Sequence, residues 1–263
     1  MDLSASYKCK SDAVNEIRYP IAMLNSVFEY RQQHPDNTII IEILQLGSCG
    51  ISIKRLKSLI DEDQHLVLDC YEMLDFIKLR QADVSRVMYH YPVATYNDLY
   101  QLMFYKPYAI SVREPLTFDL PQVREVLDQD QERYIKIRVV PHIGRPADWA
   151  DLREKDNGIR HFWIAPQMAY VYEPYVDVLD LYDADSGREQ ALVDVYSKND
   201  YMFGLNSLLK HCESSLLCGL VDEEFTKRRL NCKQRCFRMS NDCHYCERFE
   251  AMTKITQPSH SEE

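Results

Sequence analysis

Short runs of apolar and β-branched residues recur about every 20–27 residues along most of this chain, each followed by a helix-patterned stretch. The runs are 38–44 (TIIIEIL), 65–70 (HLVLDC), 86–90 (RVMYH), 108–112 (YAISV), 134–140 (YIKIRVV), 161–164 (HFWI) and 176–182 (VDVLDLY). Their hydrophobicity is continuous rather than alternating, the pattern of strands buried on both faces, as parallel strands are. Helices are expected at 52–61, 71–80, 96–104 with Thr95 as cap, and 121–127 with Pro121 at a helix start. About seven βα units without a nucleotide fingerprint favour a closed ring over an open doubly wound sheet. The expected fold class is α/β: a (β/α) TIM-like barrel over residues 38–210 with a C-terminal helical and four-cysteine metal-binding segment. Residues 1–37 read as an N-terminal helical segment, with an amphipathic helix over 12–33 interrupted by Pro20. Either that helix or a strand hidden within 13–24 would supply the closing element.

The second feature is NCKQRCFRMSNDCHYC, residues 231–246, which packs Cys232, Cys236, Cys243 and Cys246 into a C-x3-C-x6-C-x2-C array. Four thiols this close suit one tetrahedral metal ion, zinc or alternatively an iron–sulfur cluster. Two disulfides in a secreted tail are the competing arrangement. The N-terminal MDLSASYKCKSD lacks a signal peptide's apolar core, no run reaches the length of a membrane span, and the nine cysteines make an odd number. The expected compartment is therefore the cytoplasm, where clustered cysteines more often hold metals than disulfides. Residues 211–254 are read as the metal module and 255–263 as a disordered tail.

A net charge of −10 excludes a generic nucleic-acid binder. The local exception is Lys227, Arg228, Arg229, Lys233, Arg235 and Arg238, six cations within a stretch of twelve residues that contains no acid. They either compensate a thiolate-rich metal site or form a phosphate-binding patch. The seven glycines form neither a G-x-G-x-x-G nor a Walker loop, which argues against a nucleotide cofactor.

In a barrel, function is read at the C-terminal strand ends. His90 ends the third run, Arg113 and Glu114 the fourth, and His142 with Arg145 the fifth. Gln167 follows the sixth, and Asp180, Tyr182 and Asp183 lie late on the seventh. The expected catalytic set is His90, Arg113, Glu114, His142 and Arg145: arginines grip carboxylates or phosphates bidentately, and His or Glu can move protons. A histidine at a strand end also serves as a hydrogen-bonded structural group, and Asp69 reads as a helix cap. The 47–50 loop (GSCG) could offer amides to an anion, but a tight βα turn is the favoured reading. The connection 144–158 is long and polar, placed to act as a lid.

Residues 42–50 (EILQLGSCG), 113–118 (REPLTF) and 138–142 (RVVPH) resemble the collagenase-like peptidase family, peptidase family U-32. That resemblance implies a (β/α) barrel, cluster-binding cysteines (here Cys232, Cys236, Cys243 and Cys246), and modification of RNA or a small aromatic precursor rather than proteolysis. The compact cysteine spacing departs from the family's dispersed ligands and turns the expectation back towards structural zinc. Two functions remain open. One is an enzyme acting on a small anionic substrate or RNA at the barrel mouth. The other is a non-catalytic scaffold whose basic metal module binds a protein or RNA partner.

Overall fold

The computed structural model describes residues 1–129, 134–141, 162–182, 186–198 and 221–230 of the chain. Eight parallel strands are found: β1 (Asp2–Ser6), β2 (Glu16–Pro20), β3 (Thr38–Ile43), β4 (Leu66–Cys70), β5 (Val87–Tyr89), β6 (Ala109–Val112), β7 (Lys136–Val139) and β8 (Val178–Asp180). Helices α1 (Leu24–Gln33), α2 (Ile53–Glu62), α3 (Met73–Gln81), α4 (Tyr96–Phe104) and α5 (Leu120–Asp128) fill the crossovers from β2 to β7. Helix α6 (Ser186–Lys198) follows β8, and α7 (Glu223–Leu230) comes later.

The ladder runs β5-β4-β3-β2-β1-β8-β7-β6, so consecutive strands are neighbours and the two ends of the row are β5 and β6. Those ends meet: Tyr108 N–H donates to Val87 O at 2.9 Å, and just beyond β5 Val93 forms a parallel bridge with Val112. The ring is thereby nearly closed into the eight-stranded barrel that the βα period implies.

Local chemistry sets the helix starts. Ser52 accepts the Arg55 amide at 3.2 Å to cap α2, and Thr95 accepts the Asp98 amide at 3.2 Å to cap α4. The 47–50 loop is a tight βα turn, with Gly50 at φ +69°, a conformation glycine adopts without Cβ strain.

Period-two alternation separates two cores. Ile39, Ile41, Ile43, Leu66, Leu68, Ile110, Ile137 and Leu179 point outward to the helices and join the main hydrophobic core. Ile40, Val67, Met88 and Ala109 form a second, separate cluster inside the ring.

Two expectations are corrected. Residues 1–37 are not a helical preface: β1 and β2 belong to the ring, and only Leu24–Gln33 is α-helical. The reason is that β1 and β2 turn Ser4, Ser6, Glu16 and Arg18 inward, so they lack the continuous apolar run by which the other strands are read. The run at 161–164 is not a strand over its described residues 162–164. Phe162, Trp163 and Ile164 are buried by helices instead, with Trp163 packed against Phe225 of α7 and the Tyr196 hydroxyl of α6 donating to Ile164 O at 2.5 Å. Helix α7, within the stretch read as the metal module, packs on the barrel through Arg229, which lies over the rings of Trp163, Phe118 and Phe225. No helix among the described residues is long and apolar enough to cross a membrane.

Candidate active site at the barrel mouth

The inward residues one step above the inner apolar cluster are polar. Ile40 is followed two residues on by Glu42, Val67 by Asp69, Met88 by His90 and Ala109 by Ser111. The strand pitch thus lifts a charged layer to the C-terminal end of the ring, directly over an apolar floor.

On the opposite side of the ring the charge goes deeper. Arg18 lies at 2.5 Å from Asp69, 3.0 Å from Asp180 and 3.6 Å from Glu42, with its side chain 2% exposed. Arg138 pairs with Glu16, donates to Ser4 Oγ at 2.8 Å and approaches Asp180 at 3.7 Å. Lys136 completes the chain with Glu16 at 3.3 Å and Asp2 at 3.4 Å. Burial opposes the charge on Glu16, yet Arg138 and Lys136 outweigh it and hold the carboxyl below its ordinary range. Burial likewise opposes the charge on Asp69, and Arg18 and His90 pull its carboxyl below that range. Arg18 is held firmly cationic against burial by Asp180, Asp69 and Glu42.

Above this network opens a cavity of about 570 Å³, including its solvent-filled entrance. His90, Arg113 and Glu114, three of the five residues expected to be catalytic, line it together. His90 is fixed from two sides: Nδ1 lies 2.9 Å from Asp69 Oδ2, and the ring stacks on Tyr71 with centroids 3.6 Å apart. Arg113 is exposed at the rim and has no ion-pair partner among the described residues. Glu114 is buried, and its carboxylate accepts the Phe162 amide, so it ties the approach to β8 to the β6 end. Thr117, also in the lining, is buried, and its hydroxyl has no hydrogen-bond partner among the described residues. His142, Arg145 and the cysteines Cys232, Cys236, Cys243 and Cys246 lie outside the described residues.

Asp69 proves to be the hub of the site rather than a helix cap. Arg18, Glu42 and Arg138 also matter and were not singled out from sequence. The available signal was a charged residue inside an otherwise apolar strand, in phase with its inward neighbours.

The fold and the mouth define an eight-stranded parallel (β/α)-barrel protein with a charged, open C-terminal end. No protein-family model matches the chain, and no curated protein matches it. Among solved structures it is similar to KGPDC from Streptococcus mutans, at 13% identity and TM-score 0.39 over 75% of this chain and 97% of that one. It is also similar to 3-keto-L-gulonate-6-phosphate decarboxylase from Vibrio cholerae O1 biovar El Tor, at 11% identity and TM-score 0.34 over 75% and 96%. Likenesses this distant assign neither substrate nor reaction to the chain.

Proposed function

We propose that this protein is an enzyme acting on a small anionic substrate, a phosphate- or carboxylate-bearing metabolite, bound in the barrel mouth. The observation that carries this reading is the guanidinium of Arg113, without an ion-pair partner among the described residues, on the rim of a cavity that also presents His90 and the Thr117 hydroxyl, likewise without a hydrogen-bond partner among them. Arg113 grips the anion bidentately, Thr117 donates to it, and the reacting end descends towards His90, which Asp69 and Tyr71 hold in place. A cavity of several hundred Å³ suits such a ligand. The three stretches that resemble peptidase family U-32 supply Glu42, Arg113, Glu114, Thr117 and Arg138, all at this mouth, which agrees with a substrate site there.

The scaffold reading, with a basic module binding RNA or protein, finds less support. Of the basic run, Lys227 pairs with Glu223 and Arg229 is buried among aromatic rings. The cysteine array is read as structural zinc, with about one zinc expected at that array.

Binding of a panel of phosphorylated and carboxylated metabolites, followed by titration calorimetry, tests the proposal. Arg113→Ala should weaken the best ligand by about 1.5–3 kcal/mol, roughly 10- to 150-fold in Kd. Its stability should stay within about 0.5 kcal/mol of the parent, because the side chain is exposed. Equal binding by parent and variant would refute the assignment.

A further inference from the structure

We propose that Glu42, Asp69 and His90 form a divalent-cation site at the barrel mouth, for an ion of Mn²⁺, Fe²⁺ or Zn²⁺ character. One ligand atom from each residue lies within 4.8 Å of the other two. The three come from successive strand ends, β3, β4 and β5, and their backbones are locked. Glu42 and Asp69 are direct partners in the β3–β4 ladder, and the His90 amide donates to Cys70 O at 2.9 Å. Donors held on strands keep their spacing better than donors on loops.

A second, independent observation points to a ligand. Asp69 is fully buried, and while its Oδ2 meets Arg18 and His90, its Oδ1 has no hydrogen-bond partner among the described residues. A buried carboxylate oxygen without a donor is costly, and native proteins leave few of them. A cation beside Glu42 and His90 removes that cost. Arg18 then keeps its grip on Oδ2 and leaves Oδ1 to the ion.

The surroundings resemble those of a metal ligand set. Tyr71 donates its hydroxyl to Glu42 Oε1 at 3.2 Å and stacks on His90, fixing two of the three ligands at once. Two carboxylates with one imidazole suit ions between the hard, all-oxygen class and the soft, thiolate-loving class. Because His90 lines the cavity, an ion there faces the substrate and can polarise one of its oxygens. The proposal deepens the reading of the mouth as a substrate site. It depends on that reading for the ion's purpose, not for its binding.

The test is a titration of the full chain with Mn²⁺ alone, following the six-line resonance of free Mn²⁺ by electron paramagnetic resonance. Mn²⁺ prefers oxygen and imidazole donors over thiolates, which keeps it off the cysteine array. One Mn²⁺ per chain is expected to bind. Glu42→Gln and His90→Gln should each weaken it by more than the roughly 10–100-fold typical of losing an outer-shell partner. Arg113→Ala should bind Mn²⁺ as the parent does, so loss of the anion grip and loss of the ion are read separately. Circular dichroism confirms that each variant is folded, and if Glu42→Gln is not, His90→Gln alone decides. A parent that leaves the free Mn²⁺ signal unchanged, or folded variants that bind as the parent does, would overturn the proposal.

Discussion

The two sides of the barrel interior solve the same packing problem differently. Strands β3 to β6 fill it with Ile40, Val67, Met88 and Ala109, whereas β7, β8, β1 and β2 fill it with Arg138, Asp180, Ser4, Glu16 and Arg18. The apolar side gains directly from burial and specifies little beyond volume. The ionic side pays a desolvation cost that only correct pairing recovers, so it is weak as a source of stability and strict about geometry. The strict side runs up to the mouth through Arg18, which links Glu42, Asp69 and Asp180. The network lies directly under the cavity, where Arg138 and Asp180 also line it, which is the position that support for the proposed site requires.

This contrast can be broken by experiment. The largest effect is expected from Arg18→Met, which strands buried carboxylates without their shared cation. Denaturant unfolding should show a loss of about 3–5 kcal/mol, and a loss under about 1 kcal/mol would mean that the network is not holding charge in the interior.

The next effect is acid sensitivity. Glu16 and Asp69 have folded-state pKa values below their unfolded ones. Their contribution is present above the unfolded carboxylate range, about pH 4, and drains away as pH falls through the depressed folded values. Denaturation midpoints measured from pH 7 to pH 3 should fall steeply below about pH 4 in the parent, and less steeply in Asp69→Asn. Equal slopes would remove Asp69 from the account.

The smallest effect belongs to the apolar side. Ile40→Val should cost only about 0.5–1.5 kcal/mol and leave the pH slope unchanged. A changed slope would show that the two sides are not independent.

The same division explains what could be read from sequence. β3 and β4 are apolar on nearly every residue, so TIIIEIL and HLVLDC announce themselves as doubly buried strands. β1 and β2 face the ionic side, and DLSAS and EIRYP carry no such continuous run. The strand-end rule places His90, Arg113 and Glu114 around one cavity. It does not find Arg18 or Glu42, because one charge inside a short strand looks like a solvent-facing residue until the ring closes around it. HFWI failed for the complementary reason: its apolar side chains are covered by helices rather than by a sheet.

The place where the ring closes bears on how the mouth works. Regular ladders join every other neighbouring pair of strands, while β5 and β6 are stitched by the Tyr108 amide and by Val93, whose amide donates to Ser111 O and whose carbonyl accepts the Arg113 amide. His90 stands on one lip of that seam and Arg113 on the other. The gap between imidazole and guanidinium therefore spans the one joint of the cylinder that no regular ladder closes among the described residues, so the two lips are tied to each other less directly than His90 is tied to β4.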